Sequence, residues 1–386
     1  MRNVLVVGAS LAGLRTAEAL RAEGYEGRLT VLGAEAEQPY DRPPLSKEFL
    51  AGSASPESVR LDPRPDLDAT WLLGDPALEL DLAGRVVSTA AGLALPFDGL
   101  VIATGSQPRR LGVLAAGPEH PLELRTLADA MRLRAELGGG RHLTIVGAGF
   151  IGVEVASTAR RLGVDVAMVS LLPPLSAAGP LVSSLAAALL RERGVRVHAP
   201  RTIVAVRGSR TIEALELDDG TSLPADVVVS AVGVGPATEW LRGSGLDVTD
   251  GVLCDSGCAV PGAPGVVAVG DVARRDCPTF GPVRIEHWST AIEQARVAAR
   301  TLLGKPAPPG ARPIVPSFWS DHFDLRLQSL GLPGIADEFE VVDGAVADRR
   351  FAAAGYANGK LVGAVAYGMP RALAPFRSLL SAEAGS

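Results

Sequence analysis

Asn3-Val-Leu-Val-Val-Gly-Ala-Ser-Leu-Ala-Gly13 and His142-Leu-Thr-Ile-Val-Gly-Ala-Gly-Phe-Ile-Gly152 are the two stretches whose reading decides the fold. Each opens on a short apolar run, Asn3 to Val7 and His142 to Val146, bounded by glycine as a fully buried parallel strand should be. Each then passes through a glycine-rich turn into an amphipathic stretch, Leu14 to Ala22 and Val153 to Leu162, which predicts a helix. A strand, glycine turn and helix in that order present free backbone N–H groups and a helix N-terminus to a pyrophosphate. Gly8, Ser10, Leu11, Ala12 and Gly13 are the expected contacts at the first turn, and Gly147, Gly149, Phe150, Ile151 and Gly152 at the second. One chain with two such turns is expected to pass electrons between two bound dinucleotides.

The glycine pattern alone is weak, so the acid that should follow on the next strand is the test of each turn. The first passes: the strand Leu29 to Leu32 is followed by Glu35, placed to accept hydrogen bonds from ribose hydroxyls. Ser10 stands at the middle glycine position, where a small side chain takes little room. At the second turn the equivalent strand, Asp165 to Val169, ends at Ser170 instead of an acid.

The chain has 386 residues, room for two or three domains, and 47% of them are hydrophobic, which suits a globular protein with an ample core. A net charge of −6 argues against nucleic acid as the main partner, because neutralising phosphates needs a basic surface. Cys254, Cys258 and Cys277 form no C-x-x-C and cannot all pair, which suggests inert thiols in a reducing compartment. The first strand begins within three residues, with no export segment ahead of it, so a cytoplasmic protein is expected. Val166 to Leu190 is uncharged and long enough to cross a bilayer by count, but Pro173, Pro174, Gly179 and Pro180 divide it into a strand end, a loop and a helix from Leu181 to Arg193. No membrane association is expected.

The same signals divide the chain. Leu100 to Ala103 reads as a buried strand closing on Thr104-Gly105, and Ser106 to Leu111 as a linker into a second unit. That unit runs through strands Val195 to His198 and Val227 to Val232, with a hairpin around Asp218-Asp219-Gly220, and closes at Gly233-Val-Gly-Pro236. Beyond this second linker, the strand Gly265 to Val269, ending in Gly270-Asp271, and the helix Ser289 to Leu303 return to the first unit. Near the C-terminus, Glu338 to Val342, Arg350 to Tyr356 and Leu361 to Tyr367 read as antiparallel strands with turns at Asp343-Gly344 and Asn358-Gly359, closed by a helix Ala372 to Leu380. The predicted fold is α/β, with two Rossmann-like domains, residues 1–108 with 236–315 and residues 109–235, and a C-terminal α+β domain, residues 316–386.

Asp41-Arg-Pro-Pro-Leu-Ser-Lys47, Ala103-Thr-Gly105, Val269-Gly-Asp271, Glu286-His-Trp288 and Phe318-Trp-Ser-Asp321 together resemble the FAD-dependent, NADH-using ferredoxin reductases of dioxygenase and cytochrome P-450 systems. The likeness covers nearly the whole chain in order, and it implies the glutathione-reductase-like flavoprotein architecture. It implies FAD on the first turn, with Glu35 and Arg42 at the adenosine half, Ala77 near the adenine, Ala103, Thr104, Gly105 and Gly270 along the trough, and Asp271 at the ribityl chain. NADH is expected on the second turn between Ser170 and Gly233, with NADPH left open because serine does not repel a 2′-phosphate. The resemblance also pairs Lys47 with Glu154 beside the flavin and sets Trp288 and Trp319 around its ring. Glu286 and Asp321 shape hydrogen bonding there, His287 is counted with the cofactor-binding residues but reads more readily as a structural histidine than as a proton donor, and His322 stands where the family usually has glutamine and is given no role.

The implied reaction is hydride transfer from NADH to FAD and single-electron delivery to a 2Fe-2S or related iron–sulfur ferredoxin, which serves a cytochrome P-450 or Rieske oxygenase. Lys47, Glu154 and Trp288 are the candidate catalytic residues, acting through orientation and electrostatics. Arg274, Arg275 and Arg284 are expected to form a basic rim for an acidic ferredoxin. The alternatives are an NADH oxidase or nitrite-reductase component and a redox-sensing interaction protein resembling apoptosis-inducing factor. A thiol–disulfide reductase is disfavoured because no cysteine precedes Cys254.

Overall fold

The computed structural model describes residues 1–117, 121–138, 140–277 and 279–383. Its first sheet is parallel and five-stranded, in the order Val266–Ala268, Gly99–Ile102, Asn3–Val7, Arg28–Gly33, Thr70–Leu73. The central strand is apolar along its length because both faces are covered: Val4 and Val6 join one core, Leu5 and Val7 another. On one face the helices Leu11–Ala22 and Trp288–Leu302 pack together through Leu14, Ala17, Ala291, Ala295 and Ala298, the alanines allowing a close approach.

A second parallel sheet has the order Arg196–His198, Asp165–Val169, His142–Val146, Val227–Ser230. The two linkers read from the sequence hydrogen-bond to each other, Ser106–Pro108 against Val234–Pro236, so the chain leaves and re-enters the first sheet along one antiparallel ribbon. The uncharged stretch from Val166 is interrupted as expected: the strand ends at Val169 and a helix runs Pro180–Glu192. Among the described residues no helix is long and apolar enough to cross a membrane.

The third sheet is antiparallel and five-stranded, in the order Ser317–His322, Leu325–Gly331, Lys360–Tyr367, Arg350–Ala357, Glu338–Ala345. Its first two strands were not predicted. Nor does the chain turn at Asp343-Gly344: the strand continues to Ala345 across a bulge between Val341 and Asp343, and Gly344 absorbs the irregularity at φ +73°. The turn at Asn358-Gly359 is where it was expected.

Both nucleotide-type helices begin three residues earlier than the periodicity indicated, at Leu11 and Phe150, because the last glycine of each turn lies inside the first helical turn. A Cβ on Gly13 would sit 1.8 Å from the Gly8 carbonyl oxygen, and one on Gly152 2.3 Å from that of Gly147. Gly8 and Gly147, at φ +119° and +108°, press against Ala103 and Ala231 in the same way. Backbone meets backbone at both places, so no side chain can yield. Replacing Gly13 with alanine is therefore expected to force the helix off the central strand, at about 1–3 kcal/mol, seen as a lowered thermal midpoint; an unchanged midpoint would contradict this packing.

Candidate functional site

Two adjoining cavities, of about 480 and 270 Å³, run across the C-terminal edge of the first sheet. Ser10, Glu35, Arg42, Ala103 and Thr104 line both. The larger one continues past Leu11, Ala12, Gly105, Gly270 and Asp271 to Glu286 and Trp288, and the smaller past Gly8 to Ala77. The helix Leu11–Ala22 opens onto this trough with no side-chain cap and no acid in its first turn, so its free N–H groups remain for a ligand.

Residues from the second unit close the same trough. Ile151 and Glu154, on the helix Phe150–Arg161, line the larger cavity, and the second glycine turn thus sits beside the first. Glu154 is 6% exposed and fully hydrogen-bonded. Its Oε2 accepts from Lys47 Nζ at 2.6 Å and from Ser46 Oγ at 2.6 Å; its Oε1 accepts from Ser320 Oγ at 2.5 Å. Lys47 also donates to the Pro43 carbonyl at 3.0 Å. The expected Lys47–Glu154 pair is formed, but Glu154 and Ser46 line the cavity whereas Lys47 stands behind them.

The remaining predicted residues divide in the same way. Trp288 lines the cavity and donates its Nε1–H to Asp41 at 2.6 Å, while Trp319 packs edge-on against it, ring centroids 5.8 Å apart, outside the cavity wall. His287 also lies off the wall, against Phe318, which in turn meets Phe150 edge-on at 4.7 Å. Gly13 lies behind the first turn, packed on Gly8. Gly147, Gly149, Phe150, Gly152, Ser170 and Gly233 are grouped around the second turn: the Gly147 N–H donates to Val169, and Ser170 follows on that strand. The Ser170 hydroxyl accepts from the Leu172 N–H at 3.3 Å.

Arg125 and Tyr40 were missed by the sequence reading. Arg125 donates to Asp271 Oδ2 at 3.1 Å and to the Ser106 carbonyl at 3.0 Å; loss of hydration holds its guanidinium below the ordinary arginine range. The sequence signal was the capping pattern Thr126-x-x-Asp129, which starts a helix at Leu127 and fixes the loop before it. The Tyr40 hydroxyl donates to Glu35 and accepts from the Leu127 N–H at 3.1 Å, and burial pushes its ionisation up. Arg42 completes this cluster, 2.5 Å from Glu35 Oε1. Arg201 also comes beside Ser170 from the adjoining strand end, its N–H on the Ser170 carbonyl, but its guanidinium is held by Asp219 at 2.5 Å.

The expected basic rim is not formed. Arg274 pairs with Asp247 at 2.5 Å, Arg275 is buried against the Ser256 carbonyl, and Arg284 is enclosed between Asp250 and Glu286. These charges are satisfied internally, because Arg274 and Arg284 face each other across an antiparallel pair and each needs its own acid. All three cysteines are buried and free, none lines the trough, and burial pushes the Cys258 thiol to about 12, so they supply no redox pair. Among the described residues no acidic, histidine or cysteine cluster is arranged to hold a metal.

Residues 2–295 match the pyridine nucleotide-disulphide oxidoreductase family and residues 317–385 the family described as Reductase C-terminal. The chain belongs to this oxidoreductase family. It is 37% identical to the anthranilate 1,2-dioxygenase system ferredoxin–NAD(+) reductase component of Burkholderia cepacia, over 98% of this chain and 94% of that one. It is 35% identical to the putidaredoxin reductase of Pseudomonas putida, over 90% and 84%. The crystal structure of the covalent putidaredoxin reductase–putidaredoxin complex superimposes with a TM-score of 0.92, at 32% identity, covering 99% of this chain and 93% of that chain.

The family implies FAD and a nicotinamide nucleotide. The uncapped helix, the Gly8–Gly13 cradle and the carboxylates of Glu35 and Asp271 along the cavities fit the first of these. The Gly147–Gly152 cradle repeats the same fit for the second.

His287 and His322 are both pushed to about 4 by loss of hydration, from an ordinary value of 6.5. The unfolded chain takes up these protons near pH 6.5 and the folded one only near 4, so this stability is present at neutral pH and is lost as pH falls through that interval. Thermal midpoints should therefore drop by a few degrees between about pH 7 and pH 5, and His322→Gln should flatten part of that slope; an identical slope in the variant would count against a neutral buried His322.

Proposed function

We propose that this chain is an FAD-dependent ferredoxin reductase: it takes a hydride from NADH and delivers single electrons to an iron–sulfur ferredoxin that serves a Rieske or cytochrome P-450 oxygenase. The carrying observation is that Ile151 and Glu154, from the second glycine turn's helix, line the same cavity as Ser10 and Asp271. A cavity lined from both nucleotide-type helices would bring the two ligands together, and proximity of that kind is what hydride transfer requires. The ferredoxin and dioxygenase names of the relatives support the partner.

FAD, when bound, supplies the chemistry of accepting an electron pair and releasing it singly. The protein's residues do the holding. The Gly8–Gly13 turn takes the pyrophosphate, Glu35 and Arg42 the adenosine half with Ala77 at the adenine, and Ala103 to Gly105 with Asp271 the chain toward the ring. Lys47, fixed by Glu154 and the Pro43 carbonyl, keeps a positive charge just behind the cavity wall, where it favours negative charge developing in front of it. Trp288, held by Asp41 and backed by Trp319, presents a fixed aromatic ring at the cavity wall. With both nucleotides held, this chain's part would be to orient them and to place charge beside them. We take residues 1–108 with 236–315 as the FAD domain, 109–235 as the NAD domain and 316–386 as the C-terminal domain.

NADH is the favoured coenzyme. Ser170 would hold a ribose hydroxyl only weakly, and among the described residues the nearby Arg201 has its charge balanced by Asp219 and is not free for a 2′-phosphate. Stopped-flow mixing of the NADH-reduced enzyme with a 2Fe-2S ferredoxin and, separately, with oxygen tests the assignment: ferredoxin should reoxidise it much faster, and faster reaction with oxygen alone would sink the proposal. Ser170→Glu is expected to raise the NADH over NADPH ratio of kcat/KM about tenfold, the effect of ~1.4 kcal/mol of added repulsion at the 2′-phosphate. A wild-type preference for NADPH would overturn the coenzyme assignment.

A further inference from the structure

Behind Glu154 the hydrogen bonds continue into the C-terminal sheet. Ser320 Oγ, which donates to Glu154 Oε1 at 2.5 Å, lies 3.0 Å from His322 Nε2, and His322 Nδ1 lies 3.2 Å from the Tyr367 hydroxyl. Ser320 and His322 are 0% exposed and Tyr367 1%, so water supplies none of these partners. The Tyr367 ring packs on Phe351, with Leu327 opposite it in the sheet. The run therefore ends inside the protein, and it cannot carry protons to or from solvent.

What it can fix is direction. Among the described residues the Tyr367 hydroxyl has a single partner, His322 Nδ1, and a buried O–H left without an acceptor costs about 1–3 kcal/mol. Tyr367 therefore donates, Nδ1 accepts, and the imidazole proton is placed on Nε2. That N–H donates to Ser320 Oγ, whose own hydrogen then has one buried acceptor within reach, Glu154 Oε1. In the opposite tautomer Ser320 would donate to Nε2, and Glu154 Oε1 would keep only the Asp321 N–H, at 3.4 Å.

We infer that His322 is a positioning residue: held as the Nε2–H tautomer by Tyr367, it turns the Ser320 hydroxyl onto Glu154 and so fixes the carboxylate that holds Lys47 at the cavity. The charged groups around the ring are Asp321 beside it, Glu154 across Ser320, and Lys47 paired with Glu154 beyond that, and loss of hydration keeps the imidazole neutral. Its link to turnover rests on the flavoprotein reading above, while the tautomer itself does not.

The test begins with the wild-type protein. Selective ¹⁵N-histidine labelling, with the His322 resonances assigned by their loss in His322→Gln, reports the tautomer in the FAD-loaded enzyme and after removal of FAD. A neutral ring protonated on Nε2 in both is expected; protonation on Nδ1, or a charged ring near neutral pH, overturns the inference whatever the activity. Tyr367→Phe should convert the signal to a mixture of tautomers. In the loaded enzyme, His322→Leu and Tyr367→Phe should slow the NADH half-reaction about three- to tenfold, the worth of one hydrogen bond to a charged group, with KM for NADH unchanged. His322→Gln, whose amide donates to Ser320 and whose carbonyl accepts from Tyr367, should restore the rate. Equal rates in all three variants and the wild type, or equal loss in the leucine and glutamine variants, would overturn the inference; failure of the wild type to react with NADH would instead remove the flavoprotein reading and leave the tautomer result standing.

Discussion

The Glu154 carboxylate is the constraint on which the site depends. It sits on the second nucleotide helix and draws its partners from two stretches far away in sequence: Ser46 and Lys47 after the first sheet's second strand, and Ser320 on the first strand of the C-terminal sheet. Burying an ionised carboxylate is costly unless every lone pair is used, and here each oxygen has strong donors. The Thr158 hydroxyl, one turn along the same helix, adds a bond to the Ser46 carbonyl at 2.7 Å and holds the loop in register with the helix. A leucine and methionine of matching shape would fill this space without the desolvation cost. A charged pair at the wall of the cavity therefore makes better sense as a fixed electrostatic element than as a contribution to stability.

The two glycine turns are built alike and equipped differently. Both press a helix onto a strand through backbone contact that excludes any side chain, and both leave a helix N-terminus without a cap. The first is then surrounded: Glu35, Arg42 and Tyr40 form a closed cluster, and Arg125 bridges to Asp271 above it. The second has Ser170 where the first has Glu35, and the exposed Leu171 and Leu172 beyond it. A ligand on the first turn meets charge along its length, whereas one on the second meets mainly backbone.

How much of this was legible depends on where each residue's partners lie. Strands such as Asn3–Val7, His142–Val146 and Asp165–Val169 are buried on both faces, so their continuous apolar runs gave them away. Ser317–His322 hid for the opposite reason: its fully buried positions are Ser320 and His322, while Trp319 and Asp321 lie on the more open face, which inverts the alternation a half-buried strand is expected to show. Arg274, Arg275 and Arg284 looked like a basic patch because most of their hydrogen-bond partners, Asp247, the Ser256 carbonyl and Asp250, precede them by about twenty to thirty-five residues, with Glu286 alone close by. The Lys47–Glu154 pair could be named from family likeness, yet its third and fourth partners could not, because serine carries no signature of its own.

The C-terminal sheet is consequently part of the site. One strand reaches it on both faces: Ser320 bonds to Glu154, and its neighbour Trp319 packs on Trp288, which Asp41 ties back to the Asp41–Lys47 segment. Adjacent residues on a strand cannot move independently, so the carboxylate behind the cavity and the ring at its end are coupled through one rigid ladder. Ser289 reinforces that coupling by donating to the Ser317 carbonyl at 2.6 Å, pinning the start of the strand to the helix that carries Trp288. Any shift of this strand would loosen Glu154 and open the end of the cavity together, which is why a polar, buried, apparently unfavourable strand sits at this position in the sheet.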